Sequence, residues 1–256
     1  MLIFYRNLRA DFKKIKYTFL VWVHLVLPVL CALIFIAYFS YSRERDPLHL
    51  YTFYMEAIGM AFPLLIGVIC GMAVSQEEQA GKFQVLLGAV SRLTSYSSKL
   101  VMLLIMGMIS VFLALGFFVI GLKYVLHLQN IRYSVFLEGG VLLMVSMITL
   151  YMIHLLASYL FGMGFSSVLG GAGFLLAGLM LTGIGDHIWQ YIPWAWGARF
   201  MDYIGTLQLR TLSMDEVHSL QNEMNSGKNI LIYVTIIVFI ISVLWFRLWE
   251  GRKSYE

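Results

Sequence analysis

The chain has 256 residues, 60% hydrophobic and 12% charged, with a formal net charge of +4 and a mean hydropathy of +0.80. Soluble domains carry about 25% charged residues, and no soluble core absorbs this much apolar surface, so a soluble globular protein is excluded. The excess positive charge has no soluble basic domain to occupy, which excludes a nucleic-acid-binding protein.

The chain opens with a basic segment in which Phe4, Leu8, Phe12, Ile15 and Phe19 recur at helical spacing while Arg6, Arg9, Lys13 and Lys16 follow on another face. This pattern predicts an amphipathic helix over residues 1–18, lying on an anionic membrane surface. It serves either as an anchor that sets topology or as an elbow that also touches a partner. Residues 19–256 form one membrane domain with apolar stretches at 19–41, 55–75, 100–122, 138–161, 167–184 and 230–246. Each approaches the roughly 20 residues that a helix needs to cross the hydrocarbon. Alternation with period two is absent, so helices are chosen over strands. The expected fold is an all-α polytopic membrane protein with six transmembrane helices and an N-terminal elbow helix. The first stretch is too long and too far from the start for a cleavable signal, so it is expected to remain. Cys31 and Cys70 fall inside apolar stretches without metal or redox spacing and read as packing residues.

With the N-terminus inside, Arg6, Arg9, Lys13, Lys14, Lys16, Lys82, Arg92, Lys99, Arg247, Arg252 and Lys253 fall on the cytoplasmic side, 11 of the 18 Lys and Arg residues. Arg43, Arg45, Lys123, Arg132, Arg199, Arg210 and Lys228 fall outside, diluted by most of the acids. The bias follows the positive-inside rule and places both termini in the cytoplasm. The short uncharged connection at 162–166 contributes nothing to it.

Residues 75–100 form the cytoplasmic loop between spans two and three. Glu77 and Glu78 come first and Gly81 permits a turn. Phe83, Leu86, Leu87 and Val90 then fall at i, i+3, i+4 and i+7, the stripe of a short helix with one apolar face. A loop of this size has no core of its own to cover that face, which therefore calls for lipid or the groove of a soluble partner. Farther on, residues 181–204 crowd Trp189, Tyr191, Trp194, Trp196 and Tyr203 around Pro193, at the start of an outer region covering 185–228. Trp and Tyr favour the headgroup level, so an aromatic belt with short re-entrant helices is the first reading. Glu44, Asp46, Asp186, Asp202, Asp215, Glu216 and Glu223 make the outer side attractive to cationic molecules.

Catalytic readings are weaker. Gly183-Ile184-Gly185-Asp186 matches the G-x-G-D string of intramembrane aspartyl proteases, but that chemistry needs two carboxylates sharing a proton, and no other Asp lies in a predicted span. Gly164-Phe165-Ser166-Ser167 contains the G-x-S of rhomboid proteases, with no histidine evidently placed to activate the serine. His24 and His154 lie within spans, where a neutral imidazole serves as a cross-helix hydrogen-bonding group or as part of a secondary transporter's pathway. Glu56 and Glu138 sit at span ends. No G-x-x-x-x-G-K-[ST] phosphate loop is present, nor H-E-x-x-H, nor a strong internal repeat.

An acidic pair, a glycine, an apolar helix, then Ser91-Arg92 and Lys99 resemble the coupling loop of ABC-2 type transporter permeases, with Ala89 and Val90 where many members have a proline. The stretch Thr182-Gly183-Ile184-Gly185-Asp186 through Ile188-Trp189, Ile192-Pro193-Trp194-Ala195-Trp196-Gly197 and Arg199 looks like the lantibiotic self-protection permeases of the nisin, subtilin and mutacin kind. The resemblance implies a non-catalytic transport subunit of a bacterial cytoplasmic membrane. Two copies of a separate ATPase would carry ATP and Mg, the chain itself binding no cofactor or metal. A second, non-identical permease, membrane lipid and an amphipathic peptide would be its other partners. It further implies ATPase coupling through Glu77, Glu78, Gly81, Phe83, Leu86, Leu87, Val90 and Arg92. Asp186, Trp189, Trp194, Trp196 and Arg199 become candidates for the substrate side. The alternative is a stand-alone membrane protein, either a secondary transporter using His24 and His154 or a protease using Asp186.

Overall fold

The computed structural model describes residues 2–42, 44–84, 88, 91–208 and 212–251, and among them every regular element is a helix. Of the cations used to assign orientation, Arg43, Arg210, Arg252 and Lys253 lie outside the described residues. In chain order the helices are α1 (Leu2–Ile15), α2 (Phe19–Tyr41), α3 (Pro47–Gln79), α4 (Arg92–Tyr124), α5 (Tyr133–Phe161), α6 (Met163–Met180), α7 (Trp196–Leu207) and α8 (Met214–Leu248). Three 3-10 turns, Gly183–Gly185, Trp189–Tyr191 and Pro193–Ala195, join α6 to α7. Six helices, α2 to α6 and α8, are long and apolar enough to cross a membrane.

The helices extend past the apolar stretches that announce them. At 33 residues each, α3 and α4 run about 50 Å at 1.5 Å per residue, well beyond a hydrocarbon core of about 30 Å. Hydropathy senses only the part inside lipid, whereas polar end residues keep the helix going. The same effect moves the start of the last helix back to Met214, so much of the expected outer region 185–228 is helix: α7 and the first turns of α8. The fifth span ends at Met180 instead of 184, because Thr182 caps a 3-10 turn by accepting the Ile184 N–H.

Alternating helix directions divide the connections between two ends of the bundle. α1, residues 80–84 and 91, the single-residue link Gly162 and the close of α8 gather at one, here the elbow end. Residues 42, 44–46, 125–132, 181–208 and 212–213 belong to the connections of the far end. Gly162 has φ +90°, a backbone region open to glycine at no steric cost, and so α6 turns straight back along α5. Contacts between elements confirm the sorting: Arg92 Nη1 donates to the Trp249 carbonyl at 2.9 Å at the elbow end, and Arg132 Nη1 to Gln208 Oε1 at 2.8 Å at the far end.

α3 is the central helix, packed against α5, α6 and α7, whereas α1 and α2 rest mainly on α4. Small residues permit the close approach. A Cβ on Gly59 would collide with the backbone of Gly197 and Ala198, and one on Gly170 would stand 2.6 Å from the Pro63 carbonyl oxygen. Interhelical hydrogen bonds add specificity: Tyr54 OH donates to the Ala114 carbonyl at 2.9 Å, and the Thr149 and Thr235 hydroxyls meet at 2.6 Å. Tyr54→Phe is expected to lower the stability of the purified protein by about 0.5–1.5 kcal/mol. Thermal unfolding in detergent measures this, and no change would show that the bond contributes nothing.

Candidate functional site

At the elbow end Asp11, Glu77 and Lys99 form a buried charged chain, which Lys14 joins from the surface. Glu77, on the last turn of α3, is 5% exposed. Lys99 Nζ lies 2.6 Å from its Oε1 and 3.1 Å from Asp11 Oδ1. Lys14 Nζ reaches the same Glu77 carboxylate at 2.9 and 3.0 Å, and Ser98 Oγ donates to Asp11 Oδ2 at 2.7 Å. Two acids and two cations thus bolt α1 to the close of α3 and the opening of α4, the two anchor points of the loop between them. The apolar stripe of α1 faces the protein as well: Ile15 is buried, and Leu8 and Phe12 pack on the core.

The loop starts with a turn in which Gly81, Lys82 and Phe83 all have positive φ, +138°, +46° and +66°. This conformation delivers Phe83 into the protein, where its ring meets Trp249 at 5.1 Å and Tyr159 at 6.1 Å between centroids. The expectation that the stripe has no cover within the chain is therefore corrected at its first residue: the end of α8 supplies it. Glu77 likewise turns inward to Lys99, so its contribution to the loop is made through the bolt. Glu78 is half-buried, and Leu86, Leu87 and Val90 lie outside the described residues. Ser91 caps α4 by accepting the Thr94 N–H, and Arg92 ties that helix to Trp249.

Mid-bundle, a histidine does stand beside Ser166, contrary to the sequence reading. His154 Nδ1 is 3.4 Å from Ser166 Oγ. Trp194 Nε1–H, however, donates to His154 Nε2 at 3.3 Å, so Nε2 is the bare nitrogen and Nδ1 carries the hydrogen. Ser166 in turn donates to the Gly67 carbonyl at 2.8 Å. Every hydrogen runs in one direction, from Trp194 through His154 and Ser166 to α3. The imidazole donates a hydrogen bond to the serine oxygen and accepts none from it, so it cannot activate a nucleophile there. This is the cross-helix packing role, and it places Trp194 between α5 and α6, against Gly173.

At the far end Arg199, 5% exposed, lies between two carboxylates. Its Nη2 bonds Asp186 Oδ1, and its Nη1 bonds Asp202 Oδ2 at 3.0 Å. Burial works to lower the guanidinium pKa, and the bonds to Asp186 and Asp202 outweigh it, so the net direction is upward. Asp186 is thus joined to Asp202 by a cation and not by a shared proton, which removes the basis of an aspartyl-protease reading. Tyr203 OH donates to Glu223 Oε2. Burial, then this bond, pushes the phenol above its ordinary range, so it remains a donor. His187 Nδ1 stands 3.2 Å from Glu223 Oε1. These groups line a hollow of about 280 Å³.

Trp189 and Trp196 are fully buried, which corrects their placement in a headgroup belt. Trp196 Nε1 donates to the Gln190 carbonyl at 2.8 Å, and Trp189 packs edge-on against Phe200 at 5.2 Å and fills the space left by Gly227. Tyr191 does face outward. A larger hollow of about 430 Å³, sharing Thr206 with the first, has Tyr38, Phe39 and Phe53 along its wall with Glu44, His49 and Glu56. The backbone N–H groups of Asp46 and Arg45, each 2.8 Å away, hold the Glu44 carboxyl below its usual range.

Sequence reasoning missed Asp11 and Lys14 as members of the elbow bolt. Asp11 is the lone acid of α1 and stands three residues after Leu8 and four before Ile15, on the apolar side of the helix, and that position was the available signal. A family model described as ABC-2 family transporter protein matches residues 7–173, a range that takes in the elbow bolt, the whole of the loop and both helices that flank it. In comparisons with curated proteins and with solved structures, nothing matches. With six membrane-crossing helices, an elbow helix locked to the base of the loop and a match over more than half its length, the chain belongs to the ABC-2 family of transporter proteins, as a multi-pass membrane subunit that works with an ATP-binding partner.

Proposed function

We propose that this subunit expels a lantibiotic-type antimicrobial peptide from a bacterial cytoplasmic membrane, conferring self-protection or resistance. Two copies of the ATP-binding partner, carrying ATP and Mg, would power it, alongside a second, non-identical permease. The elbow end faces the cytoplasm in this reading, consistent with Arg6, Arg9, Lys13, Lys14, Lys16, Lys82, Arg92, Lys99 and Arg247 at that end. The observation that carries the reading is the chemistry of the far end. Glu44, Glu56, Asp186, Asp202 and Glu223 line hollows there that are walled partly by aromatic rings, and Asp46, Asp215 and Glu216 lie at the same end. Carboxylates attract a cationic peptide by long-range field, and an aromatic face holds its ammonium or apolar side chains.

Energy would enter through the loop between α3 and α4. Leu86→Asp is expected to abolish resistance to the exported lantibiotic, at least a tenfold fall in the tolerated concentration, with membrane insertion unchanged. Normal resistance in that variant would overturn coupling through the loop. Affinity purification in mild detergent is expected to recover a stoichiometric ATPase and a second six-span protein, whereas a lone chain would overturn the pairing.

A further inference from the structure

The bundle holds another cavity, remote from both ends, of about 330 Å³ between α2, α3, α4 and α5. Its walls are apolar side chains such as Leu27, Phe35, Phe62, Ile66, Val111 and Met147. α2 packs on α4 and barely on α3. The α2–α3 seam is accordingly the loose side of the cavity, where Leu27 is exposed and Ala61 and Leu65 are half-buried. These residues lie near the middle of their helices, so the seam faces hydrocarbon.

One polar group in this cavity has no partner. His24 is 2% exposed and lines it. Its Nδ1 lies 2.7 Å from the Leu20 carbonyl oxygen. A carbonyl only accepts, so Nδ1 carries the hydrogen, and in the neutral ring Nε2 is then a bare acceptor. No acid lines the cavity to hold an imidazolium. Nε2 is buried with no hydrogen-bond partner. The neighbouring hydroxyl does not serve it: Ser110 Oγ donates to the His24 carbonyl at 2.8 Å, which Pro28 leaves free because it has no N–H to offer four residues on.

Such a site specifies its occupant. Buried water needs two to four polar partners, and besides this acceptor the lining carries only the Ser110 hydroxyl, spent on the His24 carbonyl, the Tyr151 hydroxyl and the Cys31 thiol. A charged headgroup would find no counter-ion, and a pure hydrocarbon would leave Nε2 unpaired. The volume lies at the low end of small-molecule pockets, about 300–1,000 Å³, too small for a folded peptide cargo. We infer that the cavity binds a hydroxyl-bearing lipid from the bilayer, its alkyl chain along the apolar walls and its O–H donating to His24 Nε2. This site is independent of what the transporter carries.

The test uses the complete transporter complex in detergent and two photoreactive probes: a dodecanol with a diazirine near its methyl end, and the methyl ether of the same molecule. The alcohol is expected to crosslink to Phe35, Phe62 or Met147 at least tenfold more than the ether, with competition by excess dodecanol and none by dodecane. His24→Phe is expected to reduce labelling by the alcohol to that by the ether. Ala61→Leu, which narrows the seam, is expected to reduce both. Should His24→Phe fail to assemble, the alcohol-to-ether ratio in the unaltered protein decides alone. Equal labelling by the two probes, or labelling of Ile236 and Ile240 on the exposed face of α8 as strong as that of the cavity, would overturn the assignment.

Discussion

Lys99→Met is expected to destabilise the protein by about 3–5 kcal/mol, the usual cost of removing one partner from a buried ion pair. Lys99 is 3% exposed, and it is the group that joins Asp11 to Glu77. Without it Glu77 retains Lys14, whose side chain is 43% exposed, and Asp11 retains the Ser98 hydroxyl. Neither substitute offsets a carboxylate left in an apolar surround. Thermal unfolding in detergent measures the loss, and proteolysis within α1 reports whether the elbow has come free. Adding Asp11→Asn and Glu77→Gln to Lys99→Met is expected to recover most of the stability, because an unpaired charge is what the single change leaves behind. A single variant as stable as the unaltered protein would show that the bolt bears no load.

The bolt also bears on the proposed coupling. α1, the close of α3 and the opening of α4 are joined by it on either side of the loop. Under the proposed coupling, a displacement delivered to the loop would move two membrane helices and the elbow together, and in the Lys99→Met variant part of it would be lost in bending the loop base.

Trp196→Ala is expected to lower stability by about 3–5 kcal/mol, the range for emptying a buried large aromatic site. Its indole is fully buried, and its N–H bond to the Gln190 carbonyl fixes the 3-10 turns that lead into α7. Trp196→Phe is expected to cost less, since most of the volume remains and only the hydrogen bond is lost. On the peptide-export proposal, binding of the exported lantibiotic to the complex below the melting temperature should be unchanged in Trp196→Ala, measured by isothermal titration. A variant that stays stable and loses only peptide affinity would return Trp196 to the substrate surface.

Some of this was legible in the sequence because it depends on neighbours along the chain. A run of apolar residues long enough to cross lipid must be helical, since lipid offers no partner for an exposed backbone. That alone sets the number of spans and the class of the fold. The amphipathic α1 and the turn at Gly81 follow from local spacing and backbone freedom in the same way. So does the family, suggested by the resemblance of the stretch between Glu77 and Lys99 and matched over residues 7–173. Helix ends were less visible, as at Met214, because polar residues outside the hydrocarbon carry no hydropathy signal.

Which side chains meet across helices was decided by the tertiary structure alone. Asp11 and Lys99 are distant in sequence, as are His154 and Trp194, and nothing local distinguishes a bolted Glu77 from one offered to a partner. Phe83 lies on the apolar stripe of a loop but is covered by Trp249 near the other terminus. Trp189 and Trp196 belong to residue types that favour the headgroup level, yet a glycine in α8 and the turns before α7 give them a buried place. Hydrophobicity records whether a residue is driven out of water. In a membrane protein, where lipid and protein interior are equally apolar, only packing and hydrogen-bond partners decide which of the two it enters.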